Sequence, residues 1–536
     1  MTVASRSSGV AARFLAAAAR LGARPALIRG FETTSFAELA DDVECLTGGL
    51  RRAGIAPGDR VALLIPPSRD LYACTFSLFR LGAVPVFIDP GIGFKNMGRC
   101  LAESEPSAFI GSPKAHLARF FGCWAPKAKI SIVADGSIPG LRNIRELRAL
   151  RVRSPVEPPE VSPGATAAIL FTSGSTGAPK GAVYTHGMFS AQVDALRGLF
   201  DIKEGEVSVP TFPLFGLFDA ALGQTCVIPD MDFTRPGFVE PQDIIDCLTR
   251  HGAHQLFGSP ALLDRVGRCG AERGLTLPGL KRVLSAGAPV APKILERFSR
   301  LLAPGVQIFT PYGATEALPV AVIGSAEILA ETAAKTAEGR GVCVGRPAAG
   351  VSVEIIRISD EPVAAWSESL RVRTGEIGEI VVKGAVVSRA YDRRPADTAA
   401  AKIDDGGEVR HRMGDLGYFD EKGRLWFCGR KSHRVNTRDG ELYTIPVEGV
   451  FNAHPQVKRT ALVGVAGSAV LCVEREPDGE TSNDELTREL LALGGKYPHT
   501  SNIQTILYHP SFPVDIRHNA KIFREKLAVW AAKRMP

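Results

Sequence analysis

Between Arg60 and Pro90 the chain reads RVALLIP, LYACTFSLFRLG and AVPVFIDP, with little between them. The outer segments are short apolar runs bounded by Pro, Gly and Asp, and the middle one places its apolar residues at helical spacing. A continuous apolar run must be covered on both faces, so strands of this kind alternating with a helix predict a parallel α/β sheet. The same alternation returns over 242–263 and 280–309, predicting a second sheet of that class.

The texture changes at Gly341. GVSVEIIRI, GEIGEIVVKG and GRLWFCGR are short β-rich segments separated by Gly and Asp turns, which predicts a smaller antiparallel, barrel-like unit. After Gly429 come a polar, turn-rich stretch, VEGVFNAHP, a strand over TALVGVAGSAVLCVE and a helix at NDELTRELLAL. A boundary at Arg430 would divide a large domain, 1–429, from a small α+β domain, 430–536. With 536 residues the chain is well beyond what one hydrophobic core supports, so several core-forming units are expected.

FTSGSTGAPKG, Phe171 to Gly181, follows the predicted strand 167–171. Gly174 and Gly177 permit positive φ and close backbone approach. Thr172, Ser173, Ser175 and Thr176 add hydroxyl donors, and Lys180 adds a compact positive charge. Such a loop can hold a polyphosphate, although a flexible Gly/Ser turn with an exposed lysine has the same composition. It is not a Walker A loop, because Pro179 precedes Lys180, Gly181 follows it, and AVYT beyond reads as a strand rather than a helix.

Other classes recede on composition. A net charge of +7 is spread over 64 basic and 57 acidic residues without a long basic run, which argues against nucleic acid. No apolar segment is long enough for a transmembrane helix. The ten cysteines form no CxxC pair and suggest reduced thiols in a cytoplasmic protein. The first 31 residues hold five arginines and no acid, as in a transit peptide, but Val10–Leu21 also reads as an Ala-rich amphipathic helix of the fold, the preferred reading. His251 and His254 have HxxH spacing without a completing ligand set.

TSGSTGAPKG resembles the signature loop of the adenylate-forming superfamily of acyl-CoA synthetases, adenylation domains and luciferases. Further stations follow in that family's order: SAGAPV (285–290), YGATE (312–316), MGDLG (413–417) and GRKS (429–432). The resemblance implies an α/β fold with two sheet subdomains, a barrel-like subdomain and a mobile C-terminal domain hinged near Ser432. It also implies ATP and Mg2+ as cofactors. The loop Thr172, Ser173, Gly174, Ser175, Thr176, Gly177 and Lys180 would then hold the β- and γ-phosphates. Gly287, Ala288, Pro289, Tyr312 and Gly313 would line the adenine pocket, with Asp415 and Arg430 at the ribose. Thr315 would meet the α-phosphate, Glu316 would ligate the metal, and Lys521 would neutralise charge as a carboxylate attacks the α-phosphorus. Asn519 and Ala520 depart from the family's glycine before that lysine, while PVEGV (446–450) fits its P-x-E pattern.

The acyl acceptor is a separate question. In the family's CoA ligases a histidine soon follows Pro-Leu-Phe, but in FPLFGLF (212–218) Gly216 takes that place. PLFGLFDAALG, GRGVCVGRP, HRMGDLGYFDEKGRLWFCGRKSHRV and HNAKIFREKLA resemble the olefin β-lactone synthetases. That branch implies a 2-alkyl-3-hydroxy fatty acid whose own hydroxyl closes onto the adenylated carboxyl, no need for CoA, and complexes with other enzymes of the olefin pathway. Leu214, Phe215, Leu217, Phe218 and Leu222 suit an acyl pocket, and a core stripe accounts for them equally well. An ordinary acyl-CoA ligase and a noncatalytic nucleotide-binding scaffold are the alternatives.

Overall fold

The computed structural model describes residues 9–150, 161–172, 179–438, 440–477, 481–514 and 522–535. The apolar runs near the N-terminus form a seven-stranded sheet in the order Arg142–Asn143, Ile130–Val133, Ala108–Gly111, Arg60–Leu64, Val84–Ile88, Thr166–Thr172, Lys180–Thr185. All neighbours are parallel except the last pair, a hairpin in which Thr172 lies opposite Lys180. The phosphate-loop motif therefore connects two antiparallel strands, which separates it from a strand-to-helix P-loop.

The second sheet has 14 strands. Its parallel centre comprises Gln307–Ala314, Arg282–Ser285, Gln255–Gly258, Val207–Pro210, Thr225–Ile228 and Pro25–Arg29. The antiparallel unit expected from Gly341 onward is present, and its strands continue this sheet through Ala317–Gly324 and Val342–Pro347. Burial explains the pattern: Val209, Leu256, Val283 and Ile308 face one apolar cluster, while Cys226, Ile228 and Leu284 face the cluster shared with the first sheet.

The helices have local causes. Ser35 and Glu38 form a reciprocal capping box at the start of Phe36–Arg52. Val10–Leu21 is a helix as expected, and it belongs to the core: Phe14 is fully buried and stacks on Phe76 at 4.4 Å between ring centroids.

Beyond residue 456, the segment read as one strand is a hairpin, Val457–Val465 with Ser468–Arg475. The turn is made by Ala466 and Gly467 at φ of 49° and 77°. Those two small residues are hidden between apolar runs, so the sequence reads as continuous. Thr505–Tyr508 completes a three-stranded sheet, packed by the helices Thr444–Asn452, Asn483–Gly494 and Arg524–Ala532. All ten cysteines are free and seven are buried.

Candidate active site

The C-terminal ends of strands from both sheets meet one cavity of about 2390 Å³, the usual place for a ligand in open α/β sheets. It runs from apolar walls between the sheets to the face of the C-terminal unit, where Glu448, Lys458 and Arg459 line it. Lys180, Gly287, Ala288, Pro289, Tyr312, Gly313, Thr315, Glu316, Asp415 and Arg430, from five separate segments, all border it. Thr172 ends its strand beside this cluster, while Ser173, Gly174, Ser175, Thr176, Gly177 and Lys521 lie outside the described residues.

Asp415 is placed by backbone pairing, since its strand lies antiparallel to Leu425–Arg430 with Asp415 opposite Arg430. The guanidinium stands 3.0 Å from Asp415 Oδ1, and the Tyr312 hydroxyl donates to Oδ2 at 2.6 Å. Burial raises the Asp415 carboxyl's pKa, opposed by Arg430. Asp415 Oδ1 is in ion-pair range but lacks a hydrogen-bond donor of good geometry, and the Ser285 hydroxyl, which lines the same cavity, is buried without a partner among the described residues. An orphaned carboxylate oxygen next to the Tyr312 ring fits a nucleoside, whose hydroxyls supply the missing donor.

At the other end of the loop motif, Lys180 Nζ lies 2.5 Å from Asp397 and 5.3 Å from the Tyr391 ring centroid. The Tyr391 hydroxyl donates to Glu316 Oε1 at 2.6 Å. On the same ring, 5.7 Å from its centroid, sits the ammonium of Lys402, which also donates to the Ser388 carbonyl at 2.5 Å. Burial pushes Lys402 down to about 7, with the Glu316 charge acting in the opposite sense. Tyr184 donates to the Thr315 carbonyl at 2.6 Å and fixes the turn that presents Glu316. Among the described residues no three His, Cys, Asp or Glu side chains gather into a metal cage. One hard carboxylate suits a Mg2+ ion held chiefly by phosphate oxygens, so Glu316 fits that ion.

Tyr391, Asp397 and Lys402 escaped the sequence reading. They come from RAYDRRPADTAAAK, a stretch with no glycine loop or repeated spacing, brought in by pairing of Ala390 and Asp392 with the strand Lys180–Thr185. Glu448, from the P-x-E segment, accepts from Arg524 at 2.9 Å and from the Leu462 amide at 2.7 Å. It anchors the helix that begins three residues after Lys521.

The apolar end answers the choice between pocket and core: Leu214, Phe215, Leu217, Phe218 and Leu222 all line the cavity, and Leu217 and Leu222 are also buried core. Phe215 packs on Phe257 at 4.2 Å between centroids. Gly216 has a steric cause. A Cβ there would stand 2.2 Å from the Tyr72 hydroxyl, which donates to the Pro213 carbonyl at 2.9 Å. No histidine fits at this position without displacing Tyr72. One turn further, Asp219 lines the cavity with only 3% exposure, accepts from Ser208 and Cys226, and leaves Oδ2 without a partner among the described residues. Burial without a cation raises its pKa to about 7.

The fold and this two-ended cavity define an adenylate-forming enzyme. The chain belongs to the AMP-binding enzyme family, whose model matches residues 14–392, and the family uses ATP. It is 47% identical to the olefin β-lactone synthetase of Xanthomonas campestris pv. campestris over 94% of this chain and 91% of that protein. It is 46% identical to the olefin β-lactone synthetase of Stenotrophomonas maltophilia over 94% of this chain and 92% of that one. Among solved structures, the amide bond synthetase McbA from Marinactinospora thermotolerans superposes with a TM-score of 0.81 at 23% identity, covering 97% of this chain and 99% of that chain. That likeness supports the fold expected from the motifs. No helix among the described residues is long and apolar enough to cross a membrane.

Proposed function

We propose that this protein is an olefin β-lactone synthetase that acts on ATP and a long-chain 2-alkyl-3-hydroxy fatty acid. The observation that carries the reading is similarity at 47% identity along 94% of the chain. The packing of Gly216 against Tyr72 supports it, because the space of the usual ligase histidine is already filled.

The first half-reaction joins a carboxylate oxygen to the α-phosphorus and expels pyrophosphate. Lys180 and the loop 172–177 bind the leaving phosphates, and the Asp397 partner holds Lys180 toward them. Asp415, Arg430 and Tyr312 orient the nucleoside, with Gly287, Ala288, Pro289 and Gly313 shaping the adenine slot. Glu316 holds Mg2+, which supplies charge neutralisation at the phosphates when bound. Thr315 and Lys521 meet the α-phosphate in the transition state. In the second half-reaction the substrate's own 3-hydroxyl oxygen attacks the acyl carbon, AMP leaves with a carboxylate oxygen, and the hydroxyl proton is released. An internal nucleophile held in attack geometry has a large effective concentration, which offsets ring strain. CoA has no role in either step.

The parts divide at Arg430, with 1–429 binding nucleotide and acyl chain and 430–536 delivering Lys521 as a mobile lid. We place the enzyme in the cytoplasm, in complexes with other enzymes of olefin formation. Lys521→Ala is expected to slow adenylation by about a hundredfold or more while ATP affinity, read by calorimetry, stays near normal. Equal loss of ATP affinity would contradict the transition-state role. The overall reading is tested by product analysis with ATP and a 3-hydroxy fatty acid, with and without CoA. Lactone, AMP and pyrophosphate should form in both; acyl-CoA formed only with CoA, and no lactone, would establish the ligase instead. ATP binding without pyrophosphate release from any acid would favour the scaffold.

A further inference from the structure

Away from the C-terminal unit, Phe31 and Lys114 line the cavity and are both exposed, so it reaches the surface at each of them. On the Lys114 side, Ala115 and Ala118 of the helix Pro113–Gly122 form the wall with Met97 and Trp124. The outer face of that helix is apolar. Leu117, Phe120 and Phe121, spaced three and four residues apart, share one face and are 58%, 78% and 73% exposed. Phe94, at the start of the helix Phe94–Ser104, is 55% exposed and packs on Trp124 at 4.3 Å between centroids. Four large apolar side chains thus stand in water beside the mouth of an apolar cavity, where single exposed hydrophobics would need no explanation.

The surrounding charge is mainly positive. Residues 94–130 carry six Lys and Arg against two acids, and Lys95, Arg99 and Lys114 are exposed near the aromatic side chains. Both acids are paired, Glu103 with Arg394 outside this stretch at 2.9 Å and Glu105 with Lys127, one of the six, at 2.6 Å, which leaves Lys95, Arg99 and Lys114 unopposed by either. We propose that this face docks on an anionic lipid bilayer, inserting Phe94, Leu117, Phe120 and Phe121 among the headgroups, so that the adjacent mouth takes its acyl chain directly from lipid. Apolar insertion and basic attraction are the two signals that stable interfacial binding requires. A second copy of the chain suits the face less well, since a two-fold contact through the same patch would bring the basic residues together. The docking stands on the surface itself; only the delivery of an acyl substrate rests on the function proposed above.

Co-sedimentation of the full chain with vesicles tests the docking. Wild type is expected in the pellet with 3:1 phosphatidylcholine:phosphatidylglycerol vesicles, and mostly in the supernatant with phosphatidylcholine alone. Leu117→Ser/Phe120→Ser/Phe121→Ser should lower the bound fraction about tenfold. Lys95→Glu/Arg99→Glu should lower it severalfold on anionic vesicles, an effect that high salt reproduces in wild type. Both variants change exposed side chains, and unchanged circular dichroism and melting confirm folding. Pyrophosphate release from a short, water-soluble 3-hydroxy acid should remain within twofold of wild type, while release from a long-chain acid held in vesicles drops at least fivefold. Wild type in the supernatant with both vesicles, or variants bound like wild type, overturns the proposal. A wild-type dimer that the serine variant converts to monomer assigns the face to self-association and overturns it equally. Vesicle binding without pyrophosphate release from any acid leaves the docking intact and refutes the synthetase reading.

Discussion

Two buried aspartates mark the two ends of the cavity. Asp415 at the nucleotide end is 3% exposed and has Arg430 and Tyr312 against its oxygens; Asp219 at the acyl end is equally buried and has only the weak donors Ser208 and Cys226. Burial raises both pKa values, but a cation opposes the effect only at Asp415. The Asp415 end thus sets a cation against its carboxyl, whereas the Asp219 end holds a carboxyl within an apolar wall with no cation to oppose burial. Directional, charged chemistry governs one end and packing volume the other.

The largest test of this contrast is Asp415→Ala. It removes the proposed ribose acceptor and the carboxylate that pairs with Arg430, so pyrophosphate release should fall about a thousandfold. A loss under tenfold would mean that the charge is not needed there. Tyr391→Phe comes next: it removes one charge-assisted hydrogen bond to Glu316, and kcat/KM should drop about ten- to a hundredfold, with a higher Mg2+ requirement in calorimetric ATP titrations. An unchanged metal requirement would separate Tyr391 from Glu316.

At the acyl end the expected losses are of stability. Gly216→His drives a side chain into Tyr72 and should cost about 1–3 kcal/mol, seen as a lower melting temperature, without conferring acyl-CoA formation. A stable variant that made acyl-CoA would show that this position alone selects the acceptor.

The smallest effect is a pH dependence. Asp219 is raised in the fold to about 7 from 3.8, so its favourable contribution is fully present below 3.8 and is lost as pH rises to 7. Asp219→Asn should therefore flatten the melting temperature between pH 4 and 7 and raise it at pH 8. An unaltered slope would mean that the carboxyl is ionised and solvated in the fold.

The same contrast explains what could be read from residues alone. A polyphosphate and a nucleoside demand particular side chains on short contiguous segments, so SGSTG, YGATE and MGDLG stand out, as do the strands that carry them. The apolar wall is legible only as hydrophobic, because Phe215 or Leu222 would serve a core as well as a pocket. Tyr391, Lys402 and Asp397 became part of the site through strand pairing across some two hundred residues, which no local pattern records. Tyr72 was equally silent, since its meaning comes from the glycine it excludes a side chain from.

The central claim is that the carboxylate is activated and the substrate's own hydroxyl closes the ring. It is tested most directly with a 3-hydroxy fatty acid carrying oxygen-18 in the hydroxyl, ATP and no CoA, followed by mass spectrometry of both products. Closure onto an acyl adenylate predicts the label in the lactone ring and unlabelled AMP. Label in AMP would show instead that the hydroxyl was activated and displaced, contradicting the account.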